Sequence, residues 1–246
     1  MQRVNNFKAI TVLLFLISFS TVVAQSKVKD ILNLYKKTVE KDKEYQVNLT
    51  YKIYKGYSEM VPYEVQEGVF YKKMNNSYTS LSNVEIINTE NTYLKINHNE
   101  KAVLIANGVK KPQELHLNLD ELFKYLEAEI IKENPKFWTI KFTPRGEITQ
   151  LPFSKLIIEL NKKTFRVKRQ LFYYLNKMNF SENLRETDEA DVKLEVLFKN
   201  YKTSHFKKLI GVFDIKKYIK KEKGIYKSKG TIGGYEVVNL KTNKDL

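Results

Sequence analysis

Residues 28–74 read VKDILNLYKKTVEKDKEYQVNLTYKIYKGYSEMVPYEVQEGVFYKKM, and the change of period inside this stretch decides the fold. Val28, Ile31, Leu32, Tyr35 and Val39 fall at i, i+3, i+4, i+7 and i+11, which is one face of a helix over Lys27–Glu40. From Tyr45 the period drops to two. Val47, Leu49, Tyr51 and Ile53 point one way, and Asn48, Thr50 and Lys52 point the other. A second alternation follows in Tyr63, Val65, Val69 and Tyr71, with Gly68 and Phe70 on its opposite face. Gly56 and Pro62 mark the turn between the two strands. One amphipathic helix therefore feeds two long, tyrosine-rich strands.

Downstream, the strand pattern continues. Tyr78–Leu81, Val84–Asn88, Thr92–Asn97 and Ala102–Ala106 are short strands divided by turn signals at Asn75-Asn76-Ser77, Asn99-Glu100 and Asn107-Gly108. Their spacing predicts an antiparallel sheet or barrel. Asn118–Ile131 is predicted as a second helix, capped by Asn118 with Glu121 three residues on, and ended by Pro135. Leu119, Leu122, Phe123, Leu126 and Ile130 form its stripe, suited to packing on the core or to covering a cavity. Strands resume at Phe137–Thr143. A clear hairpin then joins Leu156–Leu160 to Phe165–Leu175 through Asn161–Thr164, with Phe165, Val167, Leu171, Tyr173 and Leu175 assigned to one face. Val192, Leu194, Val196 and Phe198 alternate cleanly. Asp214 is read as the cap of a short basic helix running to Lys221 and stopped by Gly224. Tyr226–Lys229 and Tyr235–Leu240 are the last strands. The expected class is mainly β with helices: a strongly curved antiparallel sheet or incompletely closed barrel of about 10–11 strands. No repeat or low-complexity linker divides it, which predicts one domain over 25–246.

Composition bounds the function classes. Arg3 and Lys8 precede the apolar run Ala9–Phe19, and Val22-Val23-Ala24 ends in a small residue, the pattern of a cleaved secretory signal over 1–24. The apolar run is short of the about 20 residues that span a bilayer. The 246 residues contain no cysteine, which excludes disulfides, thiol catalysis and lipid attachment at a cysteine. The net charge is +15, but only five of the 43 basic residues are arginine. Arginine is the better residue for bidentate phosphate and base contacts, so nucleic acid is not the expected partner. Dispersed lysines instead discourage strand-edge pairing and permit transient contact with an anionic membrane.

No catalytic motif stands out. His98, His116 and His205 lack metal-ligand spacing, so no metal or other cofactor is expected. No G-x-S-x-G elbow is present, Gly233-Gly234 lacks the Lys-Ser/Thr of a phosphate loop, and Asp120/Glu121 and Asp188/Glu189 fit a helix start and a polar loop. The chain is expected not to be an enzyme. The informative excess is aromatic, with 16 Tyr and 14 Phe. Most such residues make core. In an incompletely closed barrel some would line an apolar cavity. The candidate cavity residues are Val47, Leu49, Tyr51, Ile53, Val69, Tyr71, Trp138, Ile140 and Phe142.

The export signal, the helix Val28–Glu40, the strand Tyr45–Tyr57, Gly68-Val69-Phe70-Tyr71 and the ELNKKTFRVKR hairpin together resemble the LolA/LolB-like family of periplasmic lipoprotein carriers. The Gly68–Phe70 pair is similar to that family's G-x-F strand, although Lys72-Lys73-Met74 follow where the carriers have an Arg-Pro pair. The resemblance implies an unclosed β-barrel wrapping around helices, with an apolar cavity for acyl chains. It implies a soluble periplasmic protein whose ligand is a lipid or an acylated lipoprotein. A non-catalytic interaction module of a bacterial envelope complex is the alternative. The Lys-, Asn-, Tyr- and Ile-rich style looks like a protein of the Bacteroidota.

Overall fold

The computed structural model describes residues 27–108, 124–146, 151–181, 183, 186–204, 206 and 209–241. The expected signal segment, His116, His205 and residues 118–123 lie outside them. The described chain is mostly β. One helix, α1, occupies residues 27–41. Sixteen strand segments follow among the described residues: β1 Glu44–Lys55, β2 Glu64–Lys73, β3 Asn76–Leu81, β4 Val84–Asn88, β5 Tyr93–Asn97, β6 Ala102–Ala106, β7 Leu126–Glu133, β8 Phe137–Pro144, β9 Phe153–Asn161, β10 Val167–Tyr174, β11 Met178–Asn179, β12 Glu189–Ala190, β13 Val192–Lys202, β14 Ile219–Glu222, β15 Ile225–Ser228 and β16 Glu236–Asn239. Twelve belong to one sheet, in the order β16-β6-β5-β4-β3-β2-β1-β13-β10-β9-β8-β7. Its end strands are not paired with each other, so the sheet is not closed into a barrel. The remaining four make two small hairpins, β11–β12 and β14–β15.

The chain forms two compact units, one from residues 1–40 and 118–193 and one from 41–117 and 194–246. In the first unit the predicted stripe of α1 is buried: Val28, Ile31, Leu32, Tyr35 and Val39 are each 7% exposed or less. Burying a side chain of this size stabilises by about 1.5–3 kcal/mol. The strands run β10-β9-β8-β7. Across β8 and β9, Trp138 stands opposite Leu160, Ile140 opposite Ile158 and Phe142 opposite Leu156, so these six share one face.

Two sequence expectations change in this unit. Residues 124–125 are helical, but Leu126–Glu133 is strand β7 rather than the end of a helix. Its Ile130 pairs with Ile140 on β8, and this cross-strand partner outweighs the helical spacing of Leu126 and Ile130. In β10 the register slips between Val167 and Arg169. The extra residue moves Gln170 and Phe172 onto the face of Val167, opposite Ile158 and Leu156, and turns Leu171 and Tyr173 to the other side. The single alternating face expected for that strand is therefore split.

The second unit holds the meander. Tyr71, Tyr78, Ile87, Leu94 and Ile105 follow one another across β2, β3, β4, β5 and β6, and Asn239 of β16 is the direct partner of Ile105. This row forms the floor of a core. Tyr71, Tyr78, Ile87, Leu94, Ile96, Val103 and Ile105 cluster there with Val212, Ile219 and Ile232 from the C-terminal segment. That segment is built from i→i+3 turns: Leu209 N–H donates to Phe206 O, Val212 to Leu209 and Asp214 to Gly211. Asp214 caps a 3₁₀ turn at Ile215–Lys217, its Oδ1 accepting from Lys216 N–H at 3.2 Å. The basic helix expected to run on to Lys221 stops there, because Ile219–Glu222 pairs with β15 as a hairpin. Strand β16 then lies parallel to β6, an exception to the antiparallel expectation.

Candidate functional site

The register of β1 on β2 determines which candidate residues can act together. Val47 stands opposite Phe70 and Leu49 opposite Gly68, whereas Val69 stands opposite Asn48 and Tyr71 opposite Gln46. Residues directly opposite point to the same side of a sheet. Val47 and Leu49 therefore share one face with Tyr45 and Phe70, and Val69 and Tyr71 share the other. Tyr51 and Ile53 continue the first face towards Gln66 and Glu64 and are half-buried. Val47, Leu49, Ile140 and Phe142 are at most 1% exposed, the condition of core packing. Trp138 is half-buried; its ring stacks on Phe165 at 5.9 Å, and its indole N–H donates to Glu133 at 3.2 Å.

Of the nine candidates, Tyr71 borders a recess within the second unit. The recess has a volume of ≈ 590 Å³ and is lined by Glu44, Tyr71, Lys73 and Asn76 together with Phe206, Leu209, Ile210, Gly211 and Phe213. Tyr71 is held between two phenylalanines: its ring lies 5.2 Å from Phe206 and 5.4 Å from Phe213, the latter stacked at 19°. Its hydroxyl donates to Glu44 Oε1 at 2.6 Å. Burial, then the hydrogen bond and charge of Glu44, push its pKa well above the usual tyrosine range. Lys73 Nζ lies 3.6 Å from the same carboxylate. The recess thus has an aromatic and aliphatic wall and a polar rim of Glu44, Lys73 and Asn76. Ile210, on the turn that bounds it, is 78% exposed.

Sequence reading missed the turn residues. The signal was present: Phe206, Leu209, Ile210 and Phe213 fall at i, i+3, i+4 and i+7. The stretch is short, and among its described residues the backbone bonds Val212 to Leu209 and Asp214 to Gly211 are those of tight turns.

This arrangement can desolvate an apolar chain and orient a polar head against a paired carboxylate and ammonium. Among the described residues there is no group of three His, Cys, Asp or Glu side chains that could hold a metal ion. His98 instead joins two parts of the second unit, its ring nitrogens 2.7 Å from Glu85 Oε1 and 3.2 Å from Tyr235 Oη. Among the described residues no helix is long and apolar enough to cross a membrane.

A mostly-β chain with an open sheet and an apolar recess is thus defined. No known family matches the chain, and no curated relative does. Among solved structures it is similar to an uncharacterised conserved protein from Thermus thermophilus, with 12% identity over 87% of this chain and 99% of that one and a TM-score of 0.45. It is also similar to a LolA superfamily protein from Nitrosomonas europaea, with 13% identity over 74% and 96% and a TM-score of 0.30. A third is the lipoprotein LppX from Mycobacterium tuberculosis, with 4% identity over 70% and 93% and a TM-score of 0.34. All three TM-scores lie below 0.5, and the likeness is one of fold, not of ligand or partner.

Proposed function

We propose that this protein is an exported, periplasmic binding protein that holds an acyl chain of a lipid or lipoprotein in the recess beside Tyr71. One observation carries the reading: a space of ≈ 590 Å³ is walled by Tyr71, Phe206, Leu209, Ile210 and Phe213, with its polar groups confined to Glu44, Lys73 and Asn76. The volume is within the range of small-ligand sites. Each methylene buried there would contribute about 0.8 kcal/mol. The Glu44–Lys73 pair would meet a polar head, and an ester or phosphate on that head suits the ammonium. The role is binding and carriage rather than catalysis.

The test uses purified protein from an envelope-bearing host. Native mass spectrometry with parallel lipid extraction should find a lipid or acylated peptide near a one-to-one ratio. Ile210→Glu should lose it while keeping the fold, because Ile210 is 78% exposed. Ile225→Glu, at a 65% exposed site away from the recess, should keep it. Equal retention in the wild type and a folded Ile210→Glu would sink the proposal, and so would a ligand-free wild type.

A second reading has its own support. The turn joining β1 to β2 and the start of β2 expose Met60 at 86%, Val61 at 77%, Tyr63 at 54% and Val65 at 50%. Grouped exposed apolar residues of this kind mark interaction surfaces. They suit a protein partner in an envelope complex, and a Met60→Ser/Val61→Ser variant should then lose co-purification of that partner without losing lipid.

A further inference from the structure

A second cavity in the same unit, of ≈ 390 Å³, differs from the recess in chemistry. Thr92, Ile105, Ile215, Ile219 and Tyr226 line it together with Lys216, Lys220, Lys221, Lys229 and Lys241. No carboxylate among the described residues lines it. The five lysines come from separate places in the chain: the 3₁₀ turn, β14, the residue after β15 and the segment after β16. A solvated basic face would spread its ammonium groups apart, since like charges repel. Here the fold brings five lysine residues to the wall of one concave space, Lys229 and Lys241 half-buried there and Lys216, Lys220 and Lys221 exposed at it.

Lys241 is the most constrained of the five. Its Nζ donates to Asn91 O at 3.1 Å and to Thr92 Oγ1 at 2.9 Å, which fixes the head at the wall of the cavity. Burial and then the charge of Lys221 lower its pKa, so the ammonium sits where a cation is disfavoured. A bound anion would reverse that effect. Lys220 is partly neutralised by Glu222, at 2.6 Å, and Glu222 also takes Lys227 at 3.0 Å. Lys221 lies over the Tyr226 ring, 5.4 Å from its centroid. Lys216, Lys221 and Lys229 have no ion pair among the described residues. The aliphatic floor of Ile105, Ile215 and Ile219 lowers the local dielectric and strengthens attraction to a charged guest.

We infer that the cavity formed by Lys216, Lys221, Lys229 and Lys241 over Ile105 and Ile219 binds a phosphate group. Lysine meets phosphate as a point charge, and a multiply charged anion neutralises several ammonium groups at once, where a single carboxylate would leave most of them unbalanced. The phosphate is either a free small molecule or the headgroup of an anionic lipid. This site stands on residues distinct from those of the Tyr71 recess, so either can fail without the other.

Binding of pyrophosphate is measured by calorimetry, and binding of vesicles by co-sedimentation, comparing phosphatidylglycerol with phosphatidylcholine. The test variant is Lys216→Gln/Lys221→Gln/Lys229→Gln. The control is Lys163→Gln/Lys168→Gln/Lys177→Gln, which removes the same charge at exposed positions elsewhere. The test variant should bind at least about tenfold more weakly in near-physiological salt, with the control close to wild type. Saturable pyrophosphate binding lost in the test variant supports a soluble phosphate. Phosphatidylglycerol binding lost in the same variant, without pyrophosphate binding, supports a headgroup. Equal losses in both triple variants would reduce the effect to overall charge and overturn the site, as would no binding to either probe.

Discussion

Tyr71 on β2 and Tyr78 on β3 stand directly opposite each other, and each hydroxyl donates to a different carboxylate, Tyr71 to Glu44 at 2.6 Å and Tyr78 to Glu85 at 2.9 Å. Burial first, and the paired carboxylate second, raise both pKa values above the usual 10. A raised folded-state pKa means that the folded protein keeps a proton that the unfolded chain gives up. The contribution is complete below pH 10 and is lost as the pH rises through the folded-state values. Stability against urea should therefore fall above pH 10, by at most about 1.4 kcal/mol per pH unit for each tyrosine. Tyr71→Phe/Tyr78→Phe should show a shallower fall than wild type between pH 10 and 11.5. Parallel curves would mean that neither tyrosine has a raised pKa in the folded protein.

Gly68 supports a second prediction, through close approach rather than through backbone freedom. A Cβ at this position would lie 2.5 Å from Ser80 O and 3.1 Å from Leu81 Cδ1. The obstacle is the neighbouring strand's own backbone, which cannot move without disturbing the β2–β3 ladder. Gly68→Ala should cost about 1–3 kcal/mol, in line with overpacking elsewhere. It should also disturb Leu49, which stands opposite Gly68 on β1. Chemical denaturation of the variant measures the cost, and an unchanged midpoint would count against so close an approach of β3 to Gly68.

Much of this architecture was legible in the residues. The stripe Val28, Ile31, Leu32, Tyr35 and Val39 is buried as its spacing predicts, and Trp138, Ile140 and Phe142 share one face as their alternation predicts. Strand registry was not legible, because it depends on partners distant in sequence. Val47/Leu49 and Val69/Tyr71 each alternate correctly, yet pairing Val47 with Phe70 sets the two groups on opposite sides of the sheet. The bulge in β10 is invisible for the same reason. So is the lysine cavity, whose lysines are separated by up to 25 positions and meet only through the β14–β15 hairpin and the parallel pairing of β16 with β6.

Glu133 supports a prediction about charge in the first unit. Its carboxylate accepts from Lys162 at 2.5 Å and from Lys27, on α1, at 2.9 Å. These two ammonium groups, Lys162 first, hold its pKa down at about 2. The carboxylate therefore stays ionised where an unfolded glutamate is already protonated. Its contribution to stability is present above the ordinary glutamate range and is lost as the pH falls towards 2. The site faces solvent, so salt should screen both pairs. NMR titration of the side-chain carboxyl carbon should return a value near 2 in low salt and a higher one in about 1 M salt. A glutamate titrating normally in low salt would show that the pairs do not persist in solution.

The single carboxylate of β13 yields the last prediction. Glu195 is 6% exposed, and Tyr54, on β1, donates its hydroxyl to Glu195 Oε2 at 2.7 Å. Lys52 Nζ stands 3.5 Å from the same oxygen. Taking a carboxylate out of water is costly, and the pairing is worth most as an answer to that cost. Tyr54→Phe should thus destabilise by about 1–3 kcal/mol, because the ring still packs while the carboxylate loses a donor. Glu195→Gln should cost less than Glu195→Ala, since the amide retains an acceptor for the tyrosine and fills the same space. If the hydrogen bond is the main link, the combined variant Tyr54→Phe/Glu195→Ala should cost less than the two single changes added together. The shortfall measured by urea unfolding should be about 0.5–3 kcal/mol, the range for residues in direct contact. Strict additivity would mean that Tyr54 and Glu195 are each stabilised by their other neighbours, and that the two side chains add no coupling to the pairing of β1 with β13.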